Sequence, residues 1–184
     1  MTDKDILRRQ ARAHREKLGP VLPGHAAAIA AFAGKLPVTR ETIVGGYAAL
    51  PGEADPKLLL MALQARGAIL ALPRVAAKDQ ALVFHRWVPG DVLQPGAFGV
   101  PEPSVQSEIV SPTVLLLPLL AYDSKGYRLG YGGGYYDRTL AELKGVAAIG
   151  VAYANQEIPS VPHEAHDMRL DMILTESGLR RFLV

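Results

Sequence analysis

The sequence predicts an α/β layered domain built on a largely parallel sheet. Two observations carry this. Short apolar and β-branched stretches alternate along the chain with amphipathic helical ones, the pattern of strands joined by crossover helices. Residues 113–120 are nearly all apolar, as a central strand covered on both faces must be. The length, 184 residues, suits a single domain over 1–184, and neither an internal repeat nor a dividing linker interrupts it.

The elements follow in chain order. Lys4, Arg8, Arg12 and Arg15 recur at helical spacing and so share one face of a first helix. Thr2, with Asp5 three residues on, is placed to cap its start. Residues 24–35 are alanine-rich and read as a weakly amphipathic helix. Residues 42–50, small and β-branched, read as a strand stopped by Pro51-Gly52. Residues 56–66 form a helix with Leu59, Leu60 and Leu63 on its apolar side and Gly67 as its stop. A short buried strand over 68–72 ends before Pro73, and 81–88 alternates as another strand. Residues 89–112, rich in proline and glycine, read as a long ordered loop. After the central strand a glycine-rich turn leads into a helix from about 135 to 143. An apolar strand over 146–152 and a short final strand over 172–175 complete the sheet.

Composition excludes several classes. An apolar fraction of 49% against 21% charged residues rules out a largely disordered chain. The absence of cysteine excludes a disulfide framework, a thiol nucleophile and cysteine-ligated metals. No apolar run approaches the roughly 20 residues of a membrane-spanning helix. The first five residues are polar and include acids, unlike a secretory leader, so a cytoplasmic globule is expected. A net charge of +2 is too mild to imply nucleic acid. The cationic stripe on the first helix has two readings: a solvated face, or Lys4 and Arg8 reaching a polyphosphate. Spacing alone does not decide between them; a second anion-binding feature would.

Such a feature is the run Gly126-Tyr127-Arg128-Leu129-Gly130-Tyr131-Gly132-Gly133-Gly134-Tyr135-Tyr136-Asp137-Arg138. It sits between a buried strand and a helix, where backbone N–H groups and the helix dipole converge on an anion. An ordinary tight turn needs one or two glycines. Three in succession cost conformational entropy and point to close approach of the backbone to phosphate. No Gly-Lys-Ser or Gly-Lys-Thr ends the run, so it is not a Walker loop. Tyr135 stands where the third glycine of a dinucleotide fingerprint belongs. Asp137, one turn into the helix, is either a favourable acid near a helix N-terminus or a ligand for Mg²⁺ carried by phosphates.

Other residues attract blander readings. His163-Glu164-Ala165-His166-Asp167 has metal-binding composition, but its spacing is not that of a helical zinc pair, and no zinc site is expected. Phe84 and Trp87 read as core. No serine lies in a nucleophile elbow, which leaves a serine hydrolase unsupported.

The glycine-rich run closely resembles the signature of the 5-formyltetrahydrofolate cyclo-ligase (5,10-methenyltetrahydrofolate synthetase) family. Supporting matches are Lys4-x-x-x-Arg8, Gly52-Glu53-Ala54-Asp55, Pro73-Arg74, Phe98-Gly99-Val100-Pro101-Glu102-Pro103 and Asp167-Met168-Arg169-Leu170-Asp171, which together extend the likeness over nearly the whole chain. The resemblance implies a three-layer α/β/α domain with a mixed, largely parallel sheet. It implies ATP- and Mg²⁺-dependent closure of the formyl group of 5-formyltetrahydrofolate onto N10, giving 5,10-methenyltetrahydrofolate, ADP and phosphate through a phosphorylated formyl intermediate. By position, Lys4, Arg8, Arg128, Leu129, Gly130, Tyr131, Gly132, Gly133, Gly134, Tyr135 and Tyr136 would bind ATP. Lys4, Arg8 and Arg128 would also serve phosphoryl transfer. Folate would meet Ala48, Glu53, Tyr131, Gly132, Gly133, Gly134 and Tyr135, and Asp137 and Asp167 would hold Mg²⁺. Tyr131 and Gly133 stand where some relatives carry a basic residue, which shifts more of the charge stabilisation onto Lys4, Arg8 and Arg128. Ala48 stands where some have a larger apolar side chain. The partners expected are ATP and 5-formyltetrahydrofolate, with no nucleic acid or membrane, acting on a monomer. A non-catalytic relative would be expected to lack Asp137, Arg128 or Glu53, and an RNA-binding protein would spread its cations more widely.

Overall fold

A computed structural model describes residues 2–18, 23–164 and 166–182. Its strands are β1 (Ile43–Gly45), β2 (Ile69–Val75), β3 (Leu82–Arg86), β4 (Gln94–Pro95), β5 (Pro101–Glu102), β6 (Val114–Leu117), β7 (Ala121–Tyr122), β8 (Arg128–Leu129), β9 (Ala147–Val151), β10 (Met172–Thr175) and β11 (Gly178–Arg181). Its helices are α1 (Asp3–Leu18), α2 (His25–Ala30), α3 (Lys57–Ala65) and α4 (Tyr135–Glu142). Seven strands form one sheet in the order β11-β10-β9-β6-β1-β2-β3. The five inner strands run parallel, and the edges β3 and β11 are antiparallel.

Two apolar layers hold the sheet between helices. On one face Ile29 of α2 and Leu59, Leu60 and Leu63 of α3 pack on Val44, Leu70, Leu116, Ile149 and Leu174. On the other, Leu140 of α4 joins Phe84, Leu115, Leu117, Leu170 and Ile173. All four residues of β6 are buried because successive side chains face opposite layers, as the uninterrupted apolar run requires. Each such Leu or Ile contributes about 1.5–3 kcal/mol by leaving water. The helix α1 packs by Leu7 and Ala11 on a smaller cluster of Leu120, Ala121, Leu129 and Val161. Trp87 and Phe84 lie in the core, as expected.

Several boundaries differ from the sequence reading. The strand expected over 42–50 is only Ile43–Gly45, because the chain then leaves the sheet toward the turn at Pro51. Pro73 does not end β2. It lies beyond Ala71, the last residue paired with β1, so its missing N–H costs no bond there, while β3 pairs antiparallel alongside. The helix expected over 24–35 is α2 followed by a separate 3₁₀ turn, Ala33–Lys35. The loop over 89–112 carries the small ribbon of β4 and β5. The strand over 172–175 is not the last: β11 folds back on β10 to cover the edge.

The topology fixes where a ligand can sit. From β1 the chain crosses through α3 to β2 on one side, and from the neighbouring β6 it crosses through α4 to β9 on the other. Connections that leave adjacent parallel strands in opposite directions open a crevice at the strands' carboxyl ends. The segment bearing Glu53 follows β1, and the glycine-rich loop follows β6.

Candidate active site

Glu53 is set by a local turn. Its N–H donates to Leu50 O at 3.0 Å, and Leu50 N–H returns a bond to Oε2 at 2.8 Å. Pro51 at the second position and Gly52 with φ 82° at the third are what a type II turn asks for, since that φ suits glycine. The carboxylate so held is buried. Tyr153 donates its hydroxyl to Glu53 O at 3.4 Å, and the buried Tyr47 hydroxyl donates to Ala54 O, fixing the next residue. The other carboxylate oxygen, Oε1, accepts from the hydroxyl of Tyr131 in the glycine-rich loop. Burial, reinforced by the Glu53 carboxylate, pushes the Tyr131 phenol well up, so it stays protonated and donates.

The loop itself leaves a hairpin, β7 pairing antiparallel with β8, and enters α4 at Gly134. Gly132 sits at φ 99° with the Arg8 guanidinium carbon only 3.3 Å from where a Cβ would be, so both backbone angle and space call for glycine. Arg138, one turn into α4, donates from Nη2 to Gly133 O at 2.5 Å and lies over the Tyr135 ring at 5.2 Å. Phe98 meets Tyr135 edge-on at 5.8 Å from the neighbouring loop. That neighbour is anchored by the buried Glu102, which takes Arg74 at 3.3 Å and the N–H of Val75 at 3.1 Å.

All four cations of the α1 stripe make contacts at or beside this loop. Arg8 donates from Nε to Gly130 O at 3.2 Å and from Nη1 to Asp5 at 2.9 Å. Lys4 Nζ reaches Asp167 at 2.8 Å and Glu164 at 3.0 Å. Burial works against the Lys4 ammonium, but these hydrogen bonds outweigh it and raise its pKa. Arg15 is buried, donates to the Tyr131 hydroxyl and stands 3.6 Å from Glu53 Oε1. The fourth, Arg12, lies over the Tyr131 ring at 5.9 Å. The helix start is capped as the sequence suggests: Asp5 N–H donates to Thr2 Oγ1 at 3.3 Å, and Thr2 N–H donates to the Asp5 carboxylate at 3.1 Å.

Asp137 and Asp167 are brought together through Met168. Asp137 Oδ1 accepts Met168 N–H at 3.0 Å and Arg128 Nη2 at 2.8 Å, while Arg128 Nη1 donates to Met168 O at 2.6 Å. Among the described residues no group of three His, Asp or Glu side chains is placed to hold a metal. Asp137 and Asp167, each paired with a cation, offer oxygen donors of the kind Mg²⁺ takes, a hard cation that binds one or two carboxylates and completes its shell with phosphate oxygens and water. The donor set suits that ion and no softer one.

The sequence profile of the 5-formyltetrahydrofolate cyclo-ligase family matches residues 1–176. The chain belongs to that family. The 5-formyltetrahydrofolate cyclo-ligase of Haemophilus influenzae is 35% identical over 135 residues, 70% of this chain and 72% of its own length. That of Mycolicibacterium smegmatis is 33% identical over 165 residues, 84% of each chain. Among solved structures, the 5,10-methenyltetrahydrofolate synthetase of Aquifex aeolicus superposes with a TM-score of 0.79 at 31% identity, covering all of this chain and 94% of that one. A second synthetase, from Mycoplasma pneumoniae, has a TM-score of 0.75 at 22% identity and shares the fold.

Within this cyclo-ligase fold, the residues read from the sequence fall in one region. Lys4 meets Asp167, Arg8 meets Gly130 O, Arg128 meets Asp137, and Glu53 meets Tyr131. Leu129 is an exception in kind: its side chain is core, leaving only its backbone toward the loop. Tyr136 packs beneath the loop with its phenol pushed up by burial and by Glu53. Ala48, half-buried, lies in the segment between β1 and the Glu53 turn. Arg15, Arg138, Tyr47 and Tyr153 were not selected by sequence reasoning. Arg15 was visible in the stripe, but spacing gives a face and not the depth to which a side chain reaches.

Proposed function

We propose that this cyclo-ligase family member carries out ATP- and Mg²⁺-dependent cyclisation of 5-formyltetrahydrofolate to 5,10-methenyltetrahydrofolate, releasing ADP and phosphate, as a monomer in the cytoplasm. The observation that carries this reading is the Tyr131–Glu53 hydrogen bond. It joins a phosphate-cradling loop to a buried carboxylate 78 residues away, so a nucleotide and a folate ring bound there would be neighbours.

The formamide oxygen is a poor leaving group. Its attack on the γ-phosphorus expels ADP and leaves the formyl carbon bearing phosphate. N10 then attacks that carbon, the C–O bond breaks, phosphate departs and the N10 proton is lost, closing the five-membered ring. The second step is intramolecular and is favoured by proximity. Glu53, an acceptor-only group, orients the pterin through its adjacent N–H and amino donors. The loop backbone, Arg8, Arg128 and Lys4 supply the positive field in which the triphosphate sits. Mg²⁺, held by Asp137 and Asp167, would neutralise charge building on the transferred phosphoryl group. Purified protein mixed with MgATP and 5-formyltetrahydrofolate is expected to develop the near-ultraviolet absorbance of the methenyl product. ADP release without that absorbance would overturn the assignment.

A further inference from the structure

The cations around the glycine-rich loop differ in how their charge is met. Lys4, Arg8, Arg15 and Arg128 each stand 2.8–3.6 Å from a carboxylate oxygen, so the protein itself balances them. Arg138, half-buried one turn into α4, has no carboxylate partner among the described residues. Its guanidinium turns back onto the loop instead. Nη2 donates to Gly133 O at 2.5 Å, and Nη1 lies 2.7 Å from where a Cβ on Gly134 would stand. The same group covers the Tyr135 ring at 5.2 Å. One planar side chain thus holds both glycines.

This grip fixes more than a carbonyl. The Gly133–Gly134 peptide is trans, so its C=O and N–H point in opposite directions, and an oxygen held by Arg138 turns the Gly134 N–H away from that side chain. A hydrogen bond to the oxygen also polarises the peptide and strengthens its N–H as a donor. The N–H groups of Gly133, Gly134 and Tyr135 make no hydrogen bond among the described residues. They lie at the start of α4, where unpaired donors and the helix dipole favour an anion.

We infer that Arg138 is a positioning residue for the nucleotide's phosphates: it sets the Gly133–Gly134 peptide with its N–H toward the anion and places an unbalanced positive charge behind the loop. The inference rests on the proposed reading of the glycine-rich loop as the ATP site. Glu53 meets the loop elsewhere, through the Tyr131 hydroxyl, so the folate carboxylate does not depend on this peptide. Lysine replaces the arginine only in part, because an ammonium is a point charge without the guanidinium's fixed fork.

The test uses the whole protein and titration calorimetry with three ligands: ATP, inorganic tripolyphosphate and 5-formyltetrahydrofolate, all with Mg²⁺ present. Tripolyphosphate separates contacts to phosphate from contacts to the nucleoside. Arg138→Met keeps an unbranched stem over Tyr135 and removes the donors and the charge. It is expected to weaken ATP and tripolyphosphate by a common factor of about ten or more, and 5-formyltetrahydrofolate by about threefold or less. Arg138→Lys is expected to recover part of the loss on both anions. A merely structural role would not divide anions from folate, nor answer to restored charge. Unchanged anion constants in Arg138→Met, or a folate loss as large as theirs, would overturn the inference. If the methionine variant does not fold, Arg138→Lys decides: a loss of about threefold on both anions with folate unmoved is expected, and no loss overturns it. Wild-type calorimetry keeps the two ideas apart. A wild-type protein that does not bind ATP refutes the loop as the ATP site, whereas ATP binding that Arg138→Met leaves intact refutes only the role of Arg138.

Discussion

On the proposed reading, single side chains decide how ATP and the folate divide the site. Glu53→Gln keeps the size of the side chain but trades one acceptor oxygen for an N–H₂ that would face the ring's donors. It is expected to weaken folate binding tenfold or more while ATP changes by about twofold or less, as read by calorimetry. Equal losses for both ligands would contradict the assignment. Asp137→Ala does two things. It is expected to lower turnover at least a hundredfold with folate binding still measurable, in line with loss of a charge-stabilising group. It also leaves the Arg128 guanidinium, 5% exposed, without its carboxylate, so urea denaturation should report about 1–3 kcal/mol of lost stability. In the sequence the glycine run and its trailing acid carry a chemical signature of their own, whereas Glu53 is marked only by the family resemblance. Arg15 and Arg138 were not legible there, since nothing in helical spacing says that a guanidinium will be drawn into an interior against a carboxylate or a backbone carbonyl.

At the level of elements, α1 is the piece whose attachment can be tuned. Among the described residues, its packing on Leu120, Ala121, Leu129 and Val161 comes from Leu7 and Ala11, and its charges supply further ties. Removing residues 1–9 takes away Lys4 and Arg8 and is expected to raise the Michaelis constant for ATP about tenfold or more, through the loss of charge-assisted contacts; an unaltered constant would return these cations to a solvated face. The tie from Lys4 to Asp167 has a defined pH window. Burial works against the Asp167 carboxylate, yet the Lys4 and Glu164 hydrogen bonds outweigh it and hold it below its ordinary 3.8. Its contribution is therefore present above that pH and lost as pH falls through the folded value, whereas the raised Lys4 keeps its share up to its ordinary 10.5 and loses it above. Amide exchange along α1, corrected for intrinsic rates, should be flat from about pH 5 to 9 and accelerate below about pH 3. Sequence periodicity located α1, α3, α4 and the inner strands well. It missed β4, β5, β7, β8 and β11, because two-residue ribbons and a polar edge strand owe their pairing to neighbours rather than to their own pattern.

For the molecule as a whole, the segments proposed to bind ATP and folate pack on opposite faces of the sheet, so bound ligands would tie those layers together. Either ligand at a hundred times its dissociation constant adds about 2.7 kcal/mol to unfolding. For a chain of this length that is a rise of roughly 5–10 °C in Tm, which a thermal melt would detect. ATP and 5-formyltetrahydrofolate together should exceed either alone; a melt unmoved by both would show that neither binds. The layered architecture was legible in the alternation of apolar runs, while the strand order was not, since it depends on which side of β1 each crossover takes. That order also bears on biosynthesis. Lys4 and Asp167 are 163 positions apart, and the loop that Arg8 grips lies 122 residues beyond it. The ribosome releases the amino-terminal helix first, yet the surface it clasps is among the last to emerge. A polypeptide stopped before the glycine-rich loop thus carries the cations of α1 without the Gly130 carbonyl that Arg8 meets or the Asp167 carboxylate that Lys4 meets.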